Sequence, residues 1–326
     1  MNRILIPAVE TPPVLPYGGR TTLAGRTMGT TWSVQAFLPA ALSFDAADTI
    51  IDGALAAVIG EMSQWEPDSF LSRFNAARAG AWLEAPQHFR RVLLEALRIA
   101  DLSGGAFDPA LGGFTELWGF GASQPSPDAP SALALAGARG SATWREIAIE
   151  GARVYQPGLT LDFSGIAKGY AADLVAAALQ AHGVPSALVE IGGELKGWGV
   201  KEDGAPWWVE LESSPDMAAE PLTIALHQAA IATSGDYRRA RFLGGRRVSH
   251  TLDPRSGLPL DEAPAAASVV HASCMTADAL ATALMVMGAA RGVSFAATHG
   301  IAARVVTRDP RQAAERLSPA LASMLG

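Results

Sequence analysis

The stretch TLDFSGIAKGYAADLVAAAL, residues 160–179, decides how the chain is read. Leu161-Asp162-Phe163 alternates apolar and polar as a short strand does, and Ser164-Gly165 breaks it. Ile166, Tyr170, Leu174 and Ala178 then recur every four residues, which predicts a helix with that face turned inward. Lys168 falls in the first turn, where the positive end of the helix dipole opposes a cation unless an anion lies beside it. Two readings fit: a phosphate held at a helix start preceded by small residues, or a surface lysine on an ordinary strand-to-helix turn.

The 326 residues suffice for one large domain or two with a sizeable core. With 49% hydrophobic and 17% charged residues the chain is globular, and a net charge of −7 with no basic stretch argues against nucleic-acid binding. No run approaches the roughly 20 apolar residues of a membrane span. Prolines and Glu10 interrupt the N-terminal apolar run before a signal core forms, so a cytoplasmic location is the expectation. Cys274 is the single cysteine, which excludes intramolecular disulfides and leaves no basis for a thiolate zinc cluster.

Residues 1–22 read as a flexible arm and 23–326 as one domain. Trp32, Val34 and Ala36 alternate after a Met28-Gly29-Thr30 turn and predict a strand. Helices are predicted over 46–62 and 86–102, and Ser69 is placed to cap a short helix carrying Phe70, Leu71 and Phe74. Trp65 precedes a Glu66-Pro67-Asp68 turn, where an aromatic either stacks on a planar ligand or joins the core. Residues 104–121 concentrate glycine and aromatics, with the carboxylate of Asp108 next to a proline, as a pocket for a large flat ligand would require. Residues 122–139 read as a linker with a short helix. Strands follow His182-Gly183, including WWVELE (207–212), and 230–260 reads as a hairpin closed by Gly244-Gly245 with His250 on its return strand, facing opposite Ser249. A strand and a helix beginning near Thr276 come next, and RVVTR (304–308) ends the fold.

Asp278 and Thr282 lie four residues apart and share a helical face. A carboxylate and a hydroxyl so placed offer hard oxygen ligands of the kind Mg²⁺ takes; the plainer reading is a helix-start aspartate with a back-bonded threonine. His250 is either structural or the most suitable general base in the chain. No H-E-x-x-H, G-x-G-x-x-G or P-loop spacing occurs, which disfavours zinc hydrolase, dinucleotide dehydrogenase and P-loop readings.

In order, M-G-T-T-W (28–32), M-S-x-W-x-P-D-S-x-L-S-R-F-N (62–75), G-A-F-D-P-x-x-G (105–112), L-W-G-F-G (117–121), I-A-K-G-Y-A-A-D (166–173), I-G-G-E-L (191–195), A-T-S-G-D-Y-R (232–238), S-H-x-x-D-P-R-S-G (249–257) and C-M-x-A-D-A-L-A-T-A-L (274–284) run along the chain. Together they closely resemble the FAD:protein FMN transferase family, often called ApbE. The resemblance implies an α+β fold of mixed sheets flanked by helices, built from two related halves as one compact unit with the active site between them. It also implies Mg²⁺-dependent transfer of FMN from FAD, as substrate, to a threonine hydroxyl of an acceptor flavoprotein, releasing AMP.

Carried over motif by motif, Asp278, Thr282 and a backbone oxygen of Gly165 would hold Mg²⁺. Met28, Trp65, Ala106, Phe107, Asp108, Asp162, Lys168 and Thr251 would line the FAD site, with His250 and Asp278 as catalytic residues. Trp65 stands where many relatives carry tyrosine, and Ser164-Gly165 where Gly-Ala is frequent. Two other functions use the same features: Mg²⁺-dependent hydrolysis of FAD to FMN and AMP, and flavin binding or storage without turnover.

Overall fold

The computed structural model describes residues 3–7, 14–124, 126–140, 142–211, 222–236, 240–243, 245–260, 264–308 and 314–325. The chain opens with β1 (Arg3–Leu5) and the hairpin β2 (Gly19–Thr27) and β3 (Thr30–Leu38). Helices α1 (Phe44–Met62), α2 (Phe70–Ala76) and α3 (Gln87–Leu102) follow, with β4 (Trp82–Glu84) between the last two. Then come α4 (Gly112–Leu117), α5 (Ala132–Arg139), β5 (Ile149–Glu150), β6 (Arg153–Tyr155) and α6 (Ala167–Ala181). β7 (Ala187–Ile191), β8 (Glu194–Trp198), β9 (Trp207–Glu210), β10 (Leu222–Leu226) and β11 (Ala229–Gly235) precede two small pairs, β12 (Ala240–Leu243) with β13 (Arg246–Ser249) and β14 (Leu252–Asp253) with β15 (Leu258–Pro259). The chain closes with β16 (Pro264–His271), α7 (Cys274–Met287), α8 (Ala289–Thr298), β17 (Ala302–Thr307), β18 (Glu315–Leu317) and α9 (Pro319–Ala322).

Eight strands form one sheet in the order β2-β3-β7-β8-β11-β16-β17-β18, and every neighbouring pair is antiparallel. The sheet divides into two halves of the same plan: two strands, a helical excursion, two strands. In the first half α6 returns the chain to the sheet, in the second α7 and α8 do, and α6 and α7 pack against each other on it. Alternation along the strands builds a core on each face. Val34, Val189, Ala232, Val269 and Val305 join the helical layer, whereas Phe37, Leu188, Ile231, Val270 and Ala302 join a second cluster under the three-stranded sheet β1-β10-β9 and α9.

Several expectations are corrected. The supposed N-terminal arm is partly docked: β1 pairs in parallel with β10, Leu5 is fully buried, and Arg3 meets Glu315 at 2.5 Å. Gly19–Thr22 belong to β2. Leu161-Asp162-Phe163 is not a strand; Asn75 holds Leu161 through both its amide nitrogen and its carbonyl, and Asp162 N–H donates to Pro109 O. On α6, Ile166 and Tyr170 face inward as predicted. Further on the buried face passes to Val175, Ala176 and Leu179, leaving Leu174 and Ala178 half-buried, because α1, α7 and the sheet cover the helix on most sides. Of the 230–260 hairpin, Ala229–Gly235 belongs to the main sheet and only β12 and β13 form the hairpin proper. Gly244 in its turn, Tyr237 and Arg238 of the A-T-S-G-D-Y-R motif, and Glu212 of the WWVELE stretch lie outside the described residues.

Candidate functional site

A cleft of about 380 Å³ opens where α6 begins beside α7, within the roughly 300–1,000 Å³ of small-molecule sites. Its floor comes from those two helices. α7 starts at Cys274, capped by the Ser273 hydroxyl, which accepts from Thr276 N–H. Asp278 therefore sits in the second turn and is not a cap of its own helix. It is 3% exposed, and its Oδ2 accepts from Gly169 N–H of α6 at 3.0 Å. Thr282, one turn on, has its hydroxyl 3.1 Å from that of Ser234 at the end of β11.

Gly165 closes this corner, since a Cβ built on it would stand 3.0 Å from Thr282 Oγ1. Asp278, Thr282 and the Gly165 backbone thus share one corner of the cleft, an all-oxygen donor set that fits a hard divalent cation such as Mg²⁺. Among the described residues no three His, Cys, Asp or Glu side chains cluster as metal ligands, and this set contains only one of those types.

The walls carry most of the other predicted residues. Met28, Ala106, Phe107, Asp108, Asp162, Lys168, His250 and Thr251 all line the cleft. Met28 and Gly29 have φ of 47° and 70° in the two-residue turn that joins Thr27 to its partner Thr30. A left-handed backbone at a non-glycine residue costs on the order of 1–3 kcal/mol and tends to mark functional surfaces. Asp108 and Asp162 each accept the N–H two residues ahead, from Ala110 and Ser164, both at 2.7 Å. His250 lies just past the end of β13 and not within a strand; its ring stands edge-on to Phe120 at 6.3 Å. Trp118 on the same loop as Phe120 donates to Gly257 O at 2.8 Å, tying the glycine-aromatic segment to the loop after His250.

Trp65 is the exception. It is 48% exposed and does not line the cleft, because α1 ends at Met62 and the turn at Ser63 carries the ring outward. Its neighbour Gln64 donates to Ser164 Oγ, a lining residue, at 3.4 Å.

Lys168 meets its anion within the protein. Its Nζ is 2.6 Å from Oε1 of Glu194, which is 2% exposed, so a carboxylate of the protein lies beside the cation at the helix start, a partner that neither the phosphate reading nor the surface-lysine reading named. Glu194, the single carboxylate of β8, and Ser234 are not singled out as site residues by sequence although both lie in quoted motifs; a glutamate directly after Gly192-Gly193 at the opening of a short strand is the signal that points to Glu194. Cys274 is fully buried at the start of α7, where burial pushes its thiol well above the ordinary range.

Asp108, Asp162, Glu194 and Asp278 share the lining with Lys168 and His250, so an anionic ligand needs a cation to accompany it. Burial pushes the Asp108 carboxyl up, against the opposing pull of Ala110 N–H and Arg145. A raised pKa in the folded state means the charged form is penalised on folding: nothing is lost below the unfolded value, and the full penalty applies above the folded one. Asp108→Asn keeps the Ala110 acceptor and removes the penalty. It should therefore raise Tm at neutral pH, with the gain fading as pH falls through the carboxylate range, measured by thermal unfolding across pH.

A model of the ApbE family matches residues 28–305. The chain belongs to the ApbE family. Among ApbE relatives, the FAD:protein FMN transferase of Vibrio cholerae is 37% identical over 290 residues, 88% of this chain and 87% of the other. That of Haemophilus influenzae is 32% identical over 299 residues, 88% of this chain and 86% of the other. The apo flavinyl transferase ApbE of Pseudomonas stutzeri superposes with a TM-score of 0.87 at 36% identity, covering 94% of this chain and 97% of that one. The V. cholerae flavin transferase ApbE superposes equally well, at 35% identity, over 95% of this chain and all of that one. The α+β architecture is that of these ApbE structures, and no helix among the described residues is long and apolar enough to cross a membrane.

Proposed function

We propose that the protein is a flavin transferase that moves FMN from FAD to a threonine hydroxyl of an acceptor flavoprotein, with Mg²⁺, and releases AMP. The observation that carries this reading is the meeting of Asp278, Thr282 and Gly165 in a cleft whose carboxylates outnumber its cations. Relatives named FAD:protein FMN transferase over most of their length support the reaction type.

The flavin half would lie along Phe107 and the Met28 turn. Lys168, oriented by Glu194, would face the pyrophosphate. Asp278, Thr282 and the Gly165 carbonyl would hold magnesium, which when bound supplies charge neutralisation at the pyrophosphate oxygens. His250 would take the proton of the acceptor hydroxyl as that oxygen bonds to the FMN phosphorus and the bond to AMP breaks.

The test mixes the protein, FAD, Mg²⁺ and a domain bearing an acceptor threonine, and looks by mass spectrometry for the acceptor carrying FMN, with AMP released. Free FMN without an adduct means hydrolysis; no AMP means storage. His250→Ala should lower kcat by about 10²- to 10⁴-fold, and a variant as fast as the parent would remove His250 from the proton transfer.

A further inference from the structure

The helices that meet beneath the cleft cap one another. Each leaves its first N–H groups without intrahelical acceptors. On α7, Asp278 stands four residues after Cys274 and accepts from Gly169 N–H on α6. On α6, Asp173 stands four residues after Gly169 and returns the relation: it accepts from Cys274 N–H at 2.9 Å, Met275 N–H at 3.0 Å and the Ser273 hydroxyl at 2.7 Å. Ser273 accepts from Thr276 N–H at 3.3 Å. The first three N–H groups of α7 are thus satisfied, two of them by a carboxylate from the helix of the other half. Hydrogen bonds to an ionised acceptor are the stronger kind.

The two carboxylates differ in what lies beyond them. Asp278 lines the cleft, with the Thr282 hydroxyl one turn further on. Asp173 does not line it, has Ala177 at the matching position, and faces Lys196, whose Nζ is 3.9 Å from Oδ1 and also donates to Ala272 O. A cation of the protein already attends Asp173, so its part is to place, not to ligate.

We propose that Asp173 is a positioning residue for the Asp278–Thr282 pair: by capping α7 it sets where that pair stands relative to Gly165. This rests on the magnesium reading above. Outer groups that orient metal ligands typically contribute about 10- to 100-fold in metal affinity.

The experiment measures Mn²⁺ binding to the FAD-loaded protein from the EPR signal of free Mn²⁺, alongside the Mg²⁺ dependence of transfer. Asp173→Ala should weaken Mn²⁺ binding by about 10- to 100-fold and raise the Mg²⁺ needed for half-maximal rate to match, with kcat at saturating Mg²⁺ within about threefold. Asp173→Asn, which keeps one acceptor oxygen, should fall between and serves the same comparison if the alanine variant does not fold. Thr276→Val removes a 2.6 Å bond to Glu95 from the same turn and should lower Tm without changing Mn²⁺ affinity. Wild-type Mn²⁺ affinity in both Asp173 variants, or an equal loss in Thr276→Val, would overturn the inference. Asp278→Ala separates the two levels: if it too binds Mn²⁺ like wild type, the metal assignment itself fails, whereas loss there with unchanged Asp173 variants sinks only the positioning role.

Discussion

Asp278→Asn is expected to leave the protein folded and to abolish transfer of FMN to an acceptor. The side chain is 3% exposed and accepts a hydrogen bond from Gly169 N–H. Asparagine has nearly the same volume and keeps an oxygen to receive that donor, so packing and capping survive. What disappears is the negative charge in the corner shared with Thr282 and Gly165, and a neutral amide oxygen is a far poorer ligand for a hard divalent cation. Asp278→Ala mixes the two effects, because it also leaves a buried N–H without an acceptor, at about 1–3 kcal/mol. The asparagine variant isolates the charge. Adduct formation followed by mass spectrometry, with Tm as the control, decides it, and undiminished turnover with normal Tm would refute the metal assignment.

Gly169→Ala should destabilise the protein and cut its activity, although helix propensity alone predicts a gain of about 1 kcal/mol from this change inside a helix. A Cβ at this position would overlap the Cys274 carbonyl and stand 2.8 Å from Asp278 Cβ. Both neighbours belong to α7, one of them backbone, so the clash is relieved only by pushing the helices apart. Overpacking of this sort costs about 1–3 kcal/mol or more, and each kcal/mol is worth roughly 1–2 °C of Tm in a chain of this length. The same displacement moves Asp278 away from Gly165, so the Mg²⁺ requirement should rise together with the loss of Tm. A variant more stable than the parent would show that the contact between α6 and α7 is slack.

Much of this arrangement was legible in the residues. The four-residue spacing of Asp278 and Thr282, the Ser69 cap, the Met28-Gly29 turn and the amphipathic α1 and α3 are local patterns, and local patterns survive translation into structure. Leu161-Asp162-Phe163 alternates without being a strand, since its partners are the side chain of Asn75 and the carbonyl of Pro109. β1 is too short for any periodicity, and its place was set by β10 and Glu315. Trp65 beside its polar turn reads as either a stacking surface or a core residue, and the family resemblance places it at the FAD site, yet the direction of its ring depends on where α1 stops. Asp173 and Glu194 act on partners far along the chain, Asp173 on groups about a hundred residues away. No window of sequence displays such a pairing.

Because Gly169 precedes its acceptor Asp278 by 109 residues, the corner of the cleft is completed late in synthesis. A nascent chain that has released α6 from the ribosome still lacks Asp278 and Thr282 of α7, and the Gly169 N–H is without the Asp278 acceptor it meets in the folded chain. On the proposed function, flavin capture would wait for the second half to fold onto the first, and a product of premature termination ahead of α7 carries neither Asp278 nor Thr282.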